Sequence, residues 1–253
     1  FKNPRGPYHI VNTNLVLIGS EDRQREIRGG DNFIFSPLYC GGNATGWRKT
    51  EEYLGGQMTL ATAMAISGAA ADPHTGVGGV GPTRNRVVSL VMALLDIRLG
   101  YWVRNPKTKN PKRTTPNHFH PGFAEMLGLR YTENDPFLHL SDGGHFENLG
   151  LYELIRRRLE VIVICDGGGD PKTSFGDLQV ALRRVEIDFG ARVEFNKPSF
   201  PIEGLIPDVD ARFPMGSKNA KRGFAVGEIT YAKIKDDNKN GTEKVVTKGV
   251  LIL

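Results

Sequence analysis

The chain has 253 residues, of which 39% are hydrophobic and 24% charged, and its formal net charge is +5. This is the composition of an ordinary globular protein, and the chain is long enough to bury a core without disulfides. Its Lys and Arg residues are dispersed rather than gathered into a basic stripe with interleaved aromatic residues, so we expect no nucleic-acid partner. No apolar run reaches the roughly 18 residues that cross a bilayer. Its two cysteines, Cys40 and Cys165, do not require an oxidising compartment, and we expect a cytoplasmic protein or one peripheral to a membrane.

The first half of the chain contains two predicted strands and two predicted helices. Residues 11–17 and 32–38 are typical of short strands, and the apolar, alanine-rich residues 58–71 favour a buried helix. Apolar residues recur at helical spacing over residues 85–101, which predicts a second helix. Prolines interrupt residues 105–121 and predict a loop there, either a lid or an insertion.

The centre of the chain alternates between predicted strands and predicted helices. A short apolar strand at residues 137–140 leads through a glycine turn into a helix at 149–158. A β-branched run at 160–165 is typical of a buried parallel strand, and a further helix follows at 175–189. Strands that alternate with helices of this length indicate βαβ units. We therefore predict an α/β fold with a mainly parallel sheet flanked by helices, in a single domain over residues 1–253.

The C-terminal part has a different texture. Residues after 196 are rich in proline and read as loop. Two strand-like segments, 224–234 and 245–253, then flank the polar run 236–241, which predicts a β-hairpin on the edge of the sheet.

Asp142 is the first candidate for chemistry. It follows the strand at 137–140 and precedes Gly143 and Gly144. A carboxylate at the carboxyl end of a strand lies where α/β folds place ligand sites, and glycines permit positive φ and close backbone approach. Such an aspartate can accept the proton of a serine hydroxyl without an intervening histidine. The alternative is an aspartate that only caps the helix beginning near Glu147, and the nearby His145 either orients Asp142 or is a surface residue.

A second strand–aspartate–glycine segment leads into Asp166–Pro171. A glycine turn at a helix N-terminus can hold a phosphate, so this turn is an alternative phosphate or nucleotide site. It has neither the dinucleotide-binding GxGxxG spacing nor the lysine-serine end of a P-loop. A structural turn between strand and helix is therefore the favoured interpretation.

Two weaker candidates are a serine and a histidine pair. Ser67 lies in a segment that approaches the nucleophile elbow G-x-S-x-G, but alanines replace both glycines and a helix precedes it, so a small-residue packing site is favoured. His118 and His120 lie in the proline-rich loop without an acidic or cysteine ligand nearby in sequence. We therefore expect no metal and no cofactor.

Residues 141–154, Ser-Asp-Gly-Gly-His-Phe-Glu-Asn-Leu-Gly-Leu-Tyr-Glu-Leu, carry a resemblance to a known family. They resemble the Asp-Gly-Gly segment of patatin-like phospholipases, which are related to the catalytic domain of cytosolic phospholipase A2. Residues 62–70 are similar to the family's small-residue segment between nucleophile and aspartate, where the serine is not catalytic. Residues 161–189 resemble large bacterial members. Together these features span roughly residues 7–195.

The resemblance implies a serine-dependent lipid acyl hydrolase of the phospholipase or lysophospholipase type. Asp142 would be the proton acceptor of a Ser–Asp dyad, with Gly143 and Gly144 supporting its turn and no metal required. The implied substrate is a lipid or phospholipid, and the basic surface is consistent with peripheral membrane contact.

The resemblance also implies that part of the site lies elsewhere. Family members carry a glycine-rich oxyanion loop and a Gly-x-Ser-x-Gly elbow upstream of the segments seen here, and neither occurs in residues 1–253. We therefore expect the C-terminal part of a longer acyl hydrolase domain, inactive without the N-terminal region that supplies the serine. A non-catalytic patatin-like binding module is the alternative.

Overall fold

A computed structural model describes residues 6–75, 82–95, 97–108, 127, 129, 131–209, 218–232 and 247–253. The chain divides into two compact units, Phe1–Phe146 and Glu147–Leu253. The first contains a six-stranded sheet, and the second contains a four-stranded sheet and a two-stranded one. None of the helices in the described ranges is both long enough and apolar enough to span a bilayer.

The first unit has six described strands and three described helices. The strands are β1 (Val11–Val16), β2 (Gly30–Phe35), β3 (Tyr39–Gly42), β4 (Gly46–Lys49), β5 (Tyr101–Arg104) and β6 (Phe137–Asp142). The helices are α1 (Arg23–Arg28), α2 (Leu60–Ser67) and α3 (Arg86–Leu94). Short 3-10 turns lie at Tyr53–Gly56, Pro82–Arg84 and Gly143–His145.

The sheet of the first unit has the order β4-β3-β2-β1-β6-β5, and every neighbouring pair is antiparallel. The predicted α/β fold with a mainly parallel sheet flanked by helices is therefore wrong. Parallel neighbours need a crossover of a dozen or more residues, whereas only a few residues join β2 to β3 and β3 to β4. Such short connections permit only antiparallel pairing.

The two faces of this sheet bury different chemistry. Side chains alternate between the faces of a strand, and Leu15, Phe33 and Leu140 lie on the face that forms the apolar core with α2. The opposite face carries polar residues that are also buried, among them His139 and Ser141. Burying polar groups costs free energy unless they are hydrogen-bonded, so we expect most groups on this face to have partners inside the protein.

Local sequence explains where the helices of this unit begin. The carboxylate of Asp22 accepts hydrogen bonds from the first amides of α1, and Gly29 ends that helix at φ 74°. The Thr59 hydroxyl caps α2 and the Asn85 side chain caps α3, as expected for residues of these types. Helix α3 is shorter than the predicted helix because the chain leaves it at Leu95 and enters β5.

The predicted loop at residues 105–121 is described only as far as Thr108. Its first residue is anchored, because the Asn105 side-chain amide donates to the backbone carbonyls of Glu133 (2.9 Å) and Asp135 (2.8 Å). The rest of the predicted loop, with His118 and His120, lies outside the described residues.

The second unit has six described strands and two described helices. The strands are β7 (Val161–Val163), β8 (Arg192–Glu194), β9 (Pro207–Val209), β10 (Lys218–Ala220), β11 (Val226–Thr230) and β12 (Lys248–Ile252). The helices are α4 (Leu151–Arg156) and α5 (Gly176–Phe189), and a 3-10 turn lies at Ile202–Leu205.

The larger sheet of the second unit has the order β7-β12-β11-β8. Only β7 and β12 pair in parallel; β12 with β11 and β11 with β8 are antiparallel. Strands β7 and β8, joined through α5, thus run in the same direction, but β11 and β12 lie between them. The two segments of the predicted hairpin are antiparallel neighbours at the centre of this sheet rather than at its edge. Because they lie between β7 and β8, the sheet has one parallel and two antiparallel pairs.

Candidate active site

Asp142 is the last residue of β6 and pairs with Thr13 of β1. Its backbone N–H donates to the carbonyl of Ala69 at 3.2 Å. Its Oδ1 accepts a hydrogen bond from the N–H of Gly144 at 2.8 Å, while Oδ2 receives no hydrogen bond from the described residues. The carboxylate is therefore anchored through one oxygen, and the side chain stays partly exposed.

The first glycine after Asp142 is required by space. A Cβ on Gly143 would lie 2.6 Å from the backbone oxygen of Asn12, closer than side-chain carbons approach a carbonyl. Neither Gly143 nor Gly144 adopts positive φ. Of the two reasons that the sequence suggests for a glycine pair here, close backbone approach thus holds at Gly143, and positive φ is not used.

The helix that follows is capped by another residue. Glu147 accepts hydrogen bonds from the backbone N–H groups of Leu149 and, at 3.1 Å, of Tyr152 in α4. Burial raises the pKa of Glu147, and these two backbone donors oppose that rise. Asp142 caps only its own 3-10 turn. The alternative in which Asp142 serves as the cap of the helix near Glu147 is therefore not what the structure shows.

A chain of three polar side chains holds the Asp142 turn from the buried polar face. Asn14 Nδ2 donates to Ser141 Oγ at 3.1 Å, and Ser141 Oγ lies 3.1 Å from His145 Nδ1. Burial lowers the pKa of His145, partly offset by the negative charges of Asp142 and Asp72 and by a hydrogen bond to the backbone of Ala70. His145 is thus linked to Asp142 by its contact with Ser141, which precedes Asp142, and by its neighbour Gly144, whose N–H donates to the Asp142 carboxylate.

A second polar pair lies deeper on the same face. His139 Nε2 is 3.2 Å from Asp72 Oδ2, with both side chains fully buried, although the two groups lack the alignment of a hydrogen bond. The other oxygen of Asp72 accepts from the N–H of Gly100 at 3.1 Å. The imidazole stacks on Trp102 with ring centroids 4.6 Å apart and lies 3.3 Å from the hydroxyl of Tyr131.

Sequence reasoning missed this pair because its members lie far apart in the chain. One signal pointed to it: His139 and Ser141 alternate with Leu138 and Leu140 in a strand that is buried on both faces. Polar residues at such positions need internal partners.

Ser67 lies beside the Asp142 turn but is not positioned as a nucleophile. Its hydroxyl donates to the backbone carbonyl of Asn12 at 2.7 Å, so its proton is directed at an acceptor that cannot act as a base. The following Ala69 is buried and accepts the N–H of Asp142. These contacts favour the small-residue packing interpretation of the segment.

The turn at Asp166–Pro171 shares one hydrogen bond with the Asp142 turn, from the amide two residues later to the aspartate. Asp166 Oδ1 accepts from the N–H of Gly168 at 2.8 Å, but the turn is exposed. At the start of α5, the N–H of Phe175 donates to the carboxylate of Asp170 at 2.7 Å. Desolvation raises the pKa of Asp170, but the hydrogen bonds that its carboxylate accepts from Phe175 and Ser174 together outweigh this and lower the pKa below its usual value. A helix start already occupied by a carboxylate does not favour phosphate.

Within the described part of the chain, no group of three or more His, Cys, Asp or Glu residues is arranged to hold a metal ion. Comparisons with models of protein families, with curated proteins and with solved structures gave no match.

Proposed function

We propose that this chain supplies the proton acceptor of a serine-dependent lipid acyl hydrolase of the phospholipase or lysophospholipase type. Asp142 is the acceptor, and the serine comes from sequence outside residues 1–253. The observation that carries the proposal is the asymmetry of the Asp142 carboxylate: Oδ1 is held by Gly144, and no described residue donates a hydrogen bond to Oδ2. The resemblance to patatin-like phospholipases supports the role.

The proposed reaction needs one base that acts twice. The serine hydroxyl transfers its proton to Oδ2 of Asp142 while its oxygen attacks the ester carbonyl carbon. The tetrahedral intermediate collapses, the alcohol leaves with the proton from Asp142, and an acyl-enzyme remains. Water then gives a proton to Asp142 and attacks the acyl carbon, and the returning proton restores the serine as the fatty acid leaves. No metal takes part in these steps.

The local geometry suits this role because a general base must lie within hydrogen-bonding reach of the proton that it removes. One anchored oxygen fixes the direction of the other. The N–H of Asp142 donates to the carbonyl of Ala69 and Gly143 packs against the Asn12 backbone, so the turn is held in place before substrate binds. A lipid substrate and peripheral membrane contact remain part of the proposal and rest on the resemblance.

The alternative function is a non-catalytic binding module with the same fold. The experiment that separates the two is fluorophosphonate labelling of the native full-length protein, with mass-spectrometric mapping of the modified serine. Heat-denatured protein serves as the control for non-specific labelling. Label on a serine outside residues 1–253 would support the proposal, and label on Ser67 would contradict the placement of the nucleophile. No label on folded protein would favour the binding module.

A further inference from the structure

His145 lies three residues after the proposed base, Asp142, and takes no part in the mechanism above. It belongs to the same 3-10 turn as Gly144, whose N–H holds Asp142. Its ring is held by Ser141 Oγ, 3.1 Å from Nδ1. Any change at this ring is therefore transmitted to the turn that directs Asp142.

The hydrogen-bond chain defines which form of His145 fits. A serine hydroxyl has one proton to donate. Ser141 is fully buried, and its other described side-chain partner, Asn14 Nδ2, can only donate to Oγ, so the Ser141 proton has an acceptor only if it is directed at His145 Nδ1. That nitrogen must then be an acceptor, which it is only in the neutral imidazole with its proton on Nε2. Both hydrogen bonds of Ser141 can therefore form only when His145 is neutral.

Protonation would disturb the site in two ways. A proton on Nδ1 would face the proton of Ser141, which forces Ser141 to turn and loosens the 3-10 turn. The new positive charge would also act on Asp142 and Asp72, the two carboxylates whose charges reach His145. Buried His139 faces Asp72 from the neighbouring part of β6. An imidazolium beside Asp142 would stabilise its ionised form and make it a weaker base.

We propose that His145 is a positioning residue that keeps Asp142 competent as a base only while its ring is neutral, so that activity is lost when the ring takes up a proton. This inference rests on the proposed function of Asp142. Burial, which lowers the pKa of His145, keeps the ring neutral at and above neutral pH. Acid therefore inactivates the ester hydrolase through protonation of His145 rather than of Asp142.

The test is the pH profile of kcat/KM of the full-length protein on a soluble p-nitrophenyl ester. His145→Asn places an amide oxygen close to the Nδ1 position and cannot titrate, whereas His145→Ala removes both the acceptor and the titration. We expect His145→Ala to lower kcat about 10- to 100-fold, as misplacement of a catalytic group does, with little change in KM. We expect His145→Asn to restore much of kcat and to lose the acid step that begins below about pH 6.5. The exposed His9, as His9→Gln, is the matched control and keeps the wild-type profile.

The outcomes separate this inference from the proposed function. If Asp142→Asn is inactive but His145→Asn keeps the wild-type acid step, or folded His145→Ala keeps the wild-type kcat, the role of His145 is wrong and that of Asp142 stands. If Asp142→Asn keeps the wild-type rate, both fail. Thermal unfolding verifies that each variant is folded, and if His145→Ala does not fold, the His145→Asn profile alone decides.

Discussion

His139 and Asp72 form a pair without access to solvent, with Nε2 of the imidazole 3.2 Å from Oδ2 of the carboxylate. His139 lies on the polar face of the sheet, in the same strand as Asp142. Removing one member of such a pair leaves the other buried without its partner, which costs far more than loss of a surface contact.

Asp72→Ala should therefore lower the free energy of unfolding by about 1–3 kcal/mol, the cost of leaving buried polar groups unsatisfied. The N–H of Gly100 also loses its carboxylate acceptor in this variant. Urea denaturation measures the change, with Glu52→Ala as an exposed control that should stay within about 0.5 kcal/mol of wild type. Equal stability of the two variants would show that the buried pair is not important for the fold.

Gly143 and Gly167 form a matched pair, since each is the first glycine after the aspartate of a strand–Asp–Gly–Gly segment. A Cβ on Gly143 would meet the Asn12 backbone oxygen at 2.6 Å, and one on Gly167 would meet nothing within 4 Å. Gly143→Ala should cost about 1–3 kcal/mol of stability and lower ester hydrolysis by the full-length protein. Gly167→Ala should change neither, and a loss of activity in Gly167→Ala equal to that in Gly143→Ala would count against the placement of the site.

Helix α1 offers a test of an ion-pair network in the first unit. Arg25 Nε lies 3.0 Å from Asp31 and Arg25 Nη1 lies 3.4 Å from Glu133, and both carboxylates are largely buried. Because Arg25 itself is partly exposed, we expect Arg25→Ala to destabilise by about 1–3 kcal/mol rather than by the full cost of a buried pair. Arg23→Ala, at an exposed position of the same helix, is the control. A thermal midpoint of Arg25→Ala as high as that of Arg23→Ala would contradict the network.

The burial of His145 has a consequence for stability at low pH. Its pKa is lowered in the folded protein, so below the unfolded value of about 6.5 the unfolded chain binds the proton more readily. This contribution to stability is complete above about pH 6.5 and is lost as pH falls through the folded pKa. The difference in urea midpoint between wild type and His145→Asn should therefore change between about pH 5 and about pH 8. A difference that is constant over this range would show that His145 does not titrate as its burial implies.

Local patterns predict individual elements of this fold better than their pairing. Strand β6 and its glycine turn follow from alternation and a glycine pair, which act over a few residues. Strands β3 and β4 are short and glycine-rich, and Gly41 of β3 approaches the backbone of Gly46 so closely that a Cβ would lie 2.1 Å from its oxygen. Such a segment reads as a turn in sequence, so the hairpins that make the sheet antiparallel were not predictable.

The second unit shows a related limit. The β-branched run at residues 160–165 predicts a strand buried on both faces, yet Val161 and Val163 are 61% and 60% exposed. A strand of this composition also fits a sheet covered on one face, and the sequence does not distinguish the two.

The candidate site was predictable only in part, because the sequence shows which residues are contiguous but not which strands are neighbours. Asp142 and its glycines are contiguous, whereas Asn14 reaches Ser141 only because β1 and β6 are neighbours in the sheet. The role of Glu147 as the cap of α4 was likewise hidden, because two acidic residues near a helix start are equivalent in sequence until the backbone shows which one receives the amides.

The proposed role of Asp142 as the catalytic base is tested by comparing Asp142→Asn with Asp166→Asn in the full-length protein. Both aspartates follow a strand, precede two glycines and accept an amide hydrogen bond at 2.8 Å, so the two substitutions remove the same kind of contact. We predict that Asp142→Asn lowers kcat for ester hydrolysis by about a thousandfold or more with the fold intact, and that Asp166→Asn stays within about twofold of wild type. Near-normal kcat in folded Asp142→Asn would show that Asp142 is not the catalytic base.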